Sequence, residues 1–175
     1  MNNEMWRDIP GYEGKYQASN LGQIKSLSRK VRGINHYTGK AFLRTVPERI
    51  LRPGTYCKSG HISVVLGHGT QGKPVHQLVM LAFVGPPPRR CEVLHADGNP
   101  KNNALSNLRY GSRTDNILDV YRQGGKWRKL SVADVEEIKF GLWCGYRLSE
   151  LAVLYGVSVS TISCIKTGRT FRWVK

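Results

Sequence analysis

The chain has 175 residues, enough for one full domain or two small ones. Lys and Arg number 27 against 12 Asp and Glu, a net charge of +15, while 40% hydrophobic residues allow a modest core. No apolar run approaches the ~20 residues of a membrane span, and the opening M-N-N-E-M-W-R-D lacks the basic-then-apolar order of a secretion signal. Cys57, Cys91, Cys144 and Cys164 include no C-x-x-C pair, which argues against a zinc site or disulfide framework. The expectation is a cytoplasmic protein with no membrane partner.

The excess charge calls for an anionic partner, nucleic acid first. Residues 1–75 hold 12 basic and 4 acidic groups, residues 76–125 hold 6 and 4, and residues 126–175 hold 9 and 4. The ends carry the positive charge, and the middle is nearly balanced.

In chain order, residues 1–75 read as a module of short strands. Tyr16–Ser19, Gln23–Ser26, Ile50–Arg52 and His61–Leu66 lie between turn signals such as Asn20-Leu21-Gly22. Arg29–Glu48 shows little apolar periodicity and reads as a basic loop. Residues 76–123 form the next unit. Leu78, Leu81 and Ala82 fall at helical spacing, and Gly85-Pro86-Pro87-Pro88 stops that helix. His76 on this apolar helix reads as a packed residue. Cys91–Leu94 and Asn107–Tyr110 read as strands joined by the turn-rich A-D-G-N-P-K-N-N. S-R-T-D then starts a helix near Arg113 that runs to about Gln123. The order is ββα.

Residues 124–130 form a glycine-led basic linker, which spans ~23 Å when extended. Residues 131–175 contain three short helices: Ser131 to about Leu142, Arg147–Tyr155, and a third capped by Ser158 that ends near Lys166. The last two, with the Gly156-Val157 turn between them, have a helix-turn-helix pattern. The fold class is α+β.

Val93–Asn116 concentrates one histidine, five asparagines and two aspartates in 24 residues. Hydrolysis of a phosphodiester needs a base for water, a cation to offset phosphate charge and support for the leaving oxygen. Histidine is the natural base near neutral pH. Mg²⁺ supplies the rest with only one or two protein oxygens as ligands.

The pattern V-x-H-x-D-G-N-x-x-N-N-x-x-x-N-L-R-Y, followed by Asn116, resembles the HNH endonucleases of the phage and intron-encoded homing branch. The resemblance covers residues 75–116. It implies a ββα-metal centre in which His95 is the general base. Asn107 is the middle asparagine, bracing the loop and orienting the histidine, and Asn116 is a metal ligand. Some members carry a metal-binding Asp before the histidine; here that residue is Leu94. Asp97, two residues past His95, has two readings, a substitute metal ligand or a turn residue in D-G-N. The implied cofactor is one divalent ion, Mg²⁺ with Mn²⁺ as the alternative. Residues 6–26, W-R-D-I-P-G-Y-E-G-K-Y-Q-A-S-N-L-G-Q-I-K-S, resemble the nuclease-associated modular domain found ahead of such enzymes.

Double-stranded DNA is the expected partner, met by Lys15, Lys25, Arg29, Lys30 and Arg32 in the N-terminal module. Arg109 contributes from the centre, and Lys126, Arg128 and Lys129 from the linker. Ser160, Thr161, Ser163, Lys166 and Arg169 contribute from the last helix and the turn after it. The expectation is a monomeric endonuclease that nicks DNA, with a dimer as the alternative state. Its origin would be phage or prophage and its setting a bacterial host. The competing reading is a DNA-binding regulator with an inactive HNH centre, kept open by Leu94.

Overall fold

The computed structural model describes residues 3–55, 60–67, 69–125 and 129–174. The chain divides into two compact units, Met1–Arg113 and Thr114–Lys175. Among the described residues, mixed α and β structure with small sheets and five α-helices agrees with an α+β class.

The first unit is built on short antiparallel strands. β1 (Trp6–Asp8), β2 (Tyr16–Ser19), β3 (Ile24–Ser26) and β6 (Arg49–Ile50) form one sheet in the order β1-β2-β3-β6. The Asn20-Leu21-Gly22 turn joins β2 to β3, with Gly22 at φ +87°, a value that favours glycine. Between β3 and β6 lies a hairpin, β4 (Arg29–Ile34) paired with β5 (Ala41–Val46).

This hairpin corrects the expected basic loop. Asn35 makes its turn: Oδ1 accepts from the backbone N–H of Tyr37 and Thr38, at 2.9 and 3.1 Å. Much of the ribbon is open to solvent, so its sequence has no need of an apolar stripe, and the periodicity that marks a strand is missing.

β7 (Gly54–Thr55), β8 (Ile62–Val65) and β9 (Gly72–Pro74) form a second small sheet. β9 leads directly into α1 (Val75–Phe83), the central helix of the unit. Its buried Val75, Leu78, Val79 and Met80 join Ile9, Tyr16, Ala18 and Ile24 from the first sheet, Val64 and Leu66, and Leu108 in one core. Each of the Val, Leu, Ile and Met side chains among them contributes about 1.5–3 kcal/mol when fully buried. Arg7 fastens β1 to the helix end by donating to the Phe83 carbonyl at 3.3 Å. β10 (Cys91–His95) and β11 (Leu108–Ser112) form an antiparallel pair with His95 opposite Leu108. A 3₁₀ turn, Leu105–Asn107, precedes β11, so Asn107 closes a turn instead of opening the strand.

The second unit begins in α2 (Arg113–Arg122), which follows β11 in the chain with no intervening residue. Gly124 at φ +74° ends it, with Gly125 N–H bonded to the Val120 carbonyl at 2.9 Å. α3 (Val132–Trp143) opens with a capping box: Ser131 Oγ accepts from Asp134 N–H, and Asp134 Oδ2 accepts from Ser131 N–H. α4 (Leu148–Leu154) starts after Arg147, whose N–H is bonded by Glu150 at 2.8 Å. α5 (Val159–Lys166) is capped by Ser158, and α4 and α5 cross at 116°. Val135 and Ile138 of α3, Leu151 and Ala152 of α4, and Ile162 and Ile165 of α5 share a second core with Leu130 and Val174. Among the described residues no single helix is long and apolar enough to cross a membrane.

Candidate functional site

The loop between β10 and β11 is folded by its own amides. Asp97 Oδ1 accepts from Asn99 N–H and Asn107 Nδ2, both at 2.9 Å, and Oδ2 accepts from Asn102 Nδ2 at 2.7 Å. Asn107 also donates to the Asn102 carbonyl at 2.9 Å, and its Oδ1 accepts from Asp97 N–H at 3.0 Å. Three donors hold the Asp97 carboxyl below the usual carboxylate range, Asn102 contributing most. Oδ2 accepts one bond and so keeps a lone pair for a hard cation. Among the described residues no group of three or more His, Cys, Asp or Glu is arranged to hold a metal.

His95 ends β10 beside this loop. Its Nε2 lies 3.1 Å from Oδ1 of Asn103. Asn103 Nδ2 donates to the Lys101 carbonyl at 3.4 Å, which turns Oδ1 toward the histidine. With Oδ1 as the acceptor, Nε2 is the nitrogen that carries the proton in this pair. Asn103, buried at 3% exposure, is the side chain in contact with His95, while the bonds of Asn107 lie within the loop. Asn107 shapes the loop on which Asn103 sits.

Two more histidines, His61 and His76, meet His95. Ring centroids are 4.8 Å apart for His61–His76, 5.2 Å for His76–His95 and 5.5 Å for His61–His95. Burial, with smaller contributions from the other two rings, pushes His76 down to about 4. His61 is lowered by burial and then by His95. The sequence offered one signal for this cluster, a histidine inside an apolar helix, and it pointed to packing alone.

The remaining site residues are spread over both units. Leu94 is buried at 3% exposure and pairs across the ribbon with Arg109. Asn116 is the fourth residue of α2, in the second unit. Tyr110 donates its phenol to the Gly85 carbonyl at 2.6 Å, pinning the loop after α1.

Two of the expected DNA-contacting cations are engaged inside the N-terminal module. Lys25 lies 4.5 Å over the Trp6 ring and 3.5 Å from Glu48. Arg29 donates to the Lys15 and Leu27 carbonyls, Ser26 Oγ and the Tyr16 hydroxyl. Lys15, Lys30 and Arg32 are exposed.

In the second unit Lys129 donates to the Gly156 carbonyl. Ser160 is exposed and Thr161 and Ser163 are half-buried, while Lys166 and Arg169 are exposed. Residues 151–175 contain no acidic side chain. Lys126 and Arg128 lie outside the described residues.

A histidine in contact with a buried asparagine, beside a polar, oxygen-rich loop on an antiparallel ribbon, is the arrangement expected of an HNH-type centre. Comparison with known proteins agrees. Residues 4–66 match the NUMOD4 motif and residues 73–118 match the HNH endonuclease model, each over less than half of the chain. It is similar to DNA endonuclease I-HmuI of Bacillus phage SP01, 31% identical over 135 residues, or 76% of this chain and 64% of the relative. The chain therefore spans just under two thirds of that relative's length. It is also similar to the solved structure described as DNA binding and cleavage by the HNH homing endonuclease I-HmuI. The TM-score there is 0.50 at 31% identity, covering 77% of this chain and 65% of the other.

Proposed function

We propose that this protein is a metal-dependent DNA endonuclease of the homing type that nicks double-stranded DNA. The observation carrying the proposal is the His95–Asn103 hydrogen bond, which leaves a basic nitrogen beside the metal-compatible loop. Nδ1 of His95 takes the proton from the attacking water, while Nε2–H stays on Asn103. Asn107 and Asp97 keep the loop in shape so that Asn103 does not shift. The ligands we assign to the ion, Mg²⁺ by preference and Mn²⁺ as the alternative, are Asn116 and Asp97, each of which would offer a side-chain oxygen. When bound, the ion offsets phosphate charge and stabilises the leaving 3′ oxygen. One such centre per chain cuts one strand, and a double-strand break needs a dimer or two successive events.

Contacts along the DNA come from both ends of the chain. Lys30 and Arg32 on the β4–β5 ribbon, with Lys15, meet phosphates, and a two-stranded ribbon fits the major groove. We read α4 and α5 as a helix-turn-helix, supported by their 116° crossing and the short turn between them. Ser160, Thr161 and Ser163 then face base edges or phosphates, and Lys166 and Arg169 grip the backbone. The named units are 1–75, 76–123 and 131–175, joined by 124–130. The setting is a bacterial host cell, and the origin is phage or prophage.

Leu94 supports a second reading, a DNA-binding regulator with an inactive centre, because it is buried and offers no ligand. Supercoiled plasmid incubated with Mg²⁺, and in parallel with a chelator, separates the two. Relaxed circles in Mg²⁺ alone identify the nicking enzyme. Tight DNA binding without cleavage in either Mg²⁺ or Mn²⁺ identifies the regulator.

A further inference from the structure

We propose that His76 is a positioning residue for His95. The proposal rests on the reading of His95 as the base. Five residues of α1 are buried, and His76 is the one that is polar. It is 6% exposed, and its Nδ1 is buried without a hydrogen-bond partner among the described residues. An orphaned polar atom costs stability that a leucine at the same place would not. What leucine lacks is a flat ring against His95.

Asn103 holds His95 through one hydrogen bond. The terminal torsion of an imidazole is broad and two-fold, so one bond leaves the ring free to swing about its axis. The His76 ring stands at 72° to the His95 ring, edge against face, and blocks that swing. His61 closes the remaining side of the triangle, 4.8 Å from His76 and 5.5 Å from His95. A neutral His76 also places no positive charge beside the nitrogen that must accept a proton.

Two readouts on the full chain decide the matter. The first is steady-state nicking by His76→Leu beside wild type, with melting temperature and DNA affinity measured in parallel. The expected result is kcat lowered ten- to hundredfold, KM and DNA affinity unchanged, and the melting temperature kept or raised. A folded His76→Leu protein with wild-type kcat overturns the proposal. His76→Gln replaces it should the leucine variant not fold.

The second readout is ¹⁵N NMR of the histidine rings, which needs no activity. Wild type should show His95 in one Nε2–H tautomer with a ring-to-ring Overhauser contact to His76, and the variant a mixture of tautomers. Absence of that contact in wild type, or an unchanged His95 tautomer in the variant, overturns it. A wild-type protein that shows the contact yet does not nick instead contradicts the nuclease reading.

Discussion

His95 Nε2 and Asn103 Oδ1 are 3.1 Å apart, and this pair sets which histidine nitrogen is basic. Asn103→Ala removes the oxygen that faces the half-buried Nε2. We expect plasmid nicking to fall about ten- to hundredfold, on the scale seen when partners that orient active groups are lost. DNA affinity should be unchanged. A variant with full kcat would show that Asn103 does not orient the base.

The N-terminal module bears on the same pair. Leu105 N–H bonds the Asn20 carbonyl at 2.8 Å, and a Cβ on Gly22 would lie 2.7 Å from the Asn103 carbonyl carbon. Gly22 also sits at φ +87°. Gly22→Ala is therefore strained in its backbone and pushes Asn103 aside. We expect a loss of more than ~1 kcal/mol, read as a melting temperature lower by a few degrees. Nicking should fall with it. A stable variant of full activity would show that the turn and the loop move independently.

His76 makes stability depend on pH. Its folded value is about 4 against an ordinary 6.5. Between those values the unfolded chain binds a proton that the folded chain does not. Stability is therefore intact above about pH 6.5 and falls as pH drops toward 4, by up to ~3 kcal/mol. Thermal melts from pH 7 to 4 should show this slope, and His76→Leu should flatten it. An equal slope in both proteins would place the titrating group elsewhere.

The β4–β5 ribbon exposes Lys30 and Arg32. Replacing both with alanine should weaken binding to all DNA sequences alike and reduce the salt slope by about 2, one per charge. Lys25→Ala should change the slope little, because Lys25 lies over Trp6 and beside Glu48. Binding isotherms at several salt concentrations measure both. An unchanged slope for the double variant would remove the ribbon from the DNA interface.

How much was legible in the sequence varied with the kind of signal. Ser131 with Asp134, and Ser158 ahead of α5, are local capping signals, and they placed two helix starts. The histidine–asparagine spacing and the turn residues placed the two strands of the central ribbon. The β4–β5 hairpin was hidden because an exposed ribbon needs no apolar alternation. Asn103 looked like its neighbours Asn99 and Asn102, since nothing in composition says which amide of an asparagine-rich loop will turn inward. The histidine cluster joins residues 34 positions apart along the chain, from His61 to His95, and only the packing of β8, α1 and β10 brings them together.

The central claim is that His95 activates water on a DNA phosphate. Nicking of supercoiled plasmid in Mg²⁺ by wild type and by His95→Ala, at equal bound fraction, tests it most directly. The account predicts relaxed circles with wild type and none above background with the variant, at unchanged DNA affinity. Equal cleavage by the two proteins would contradict it.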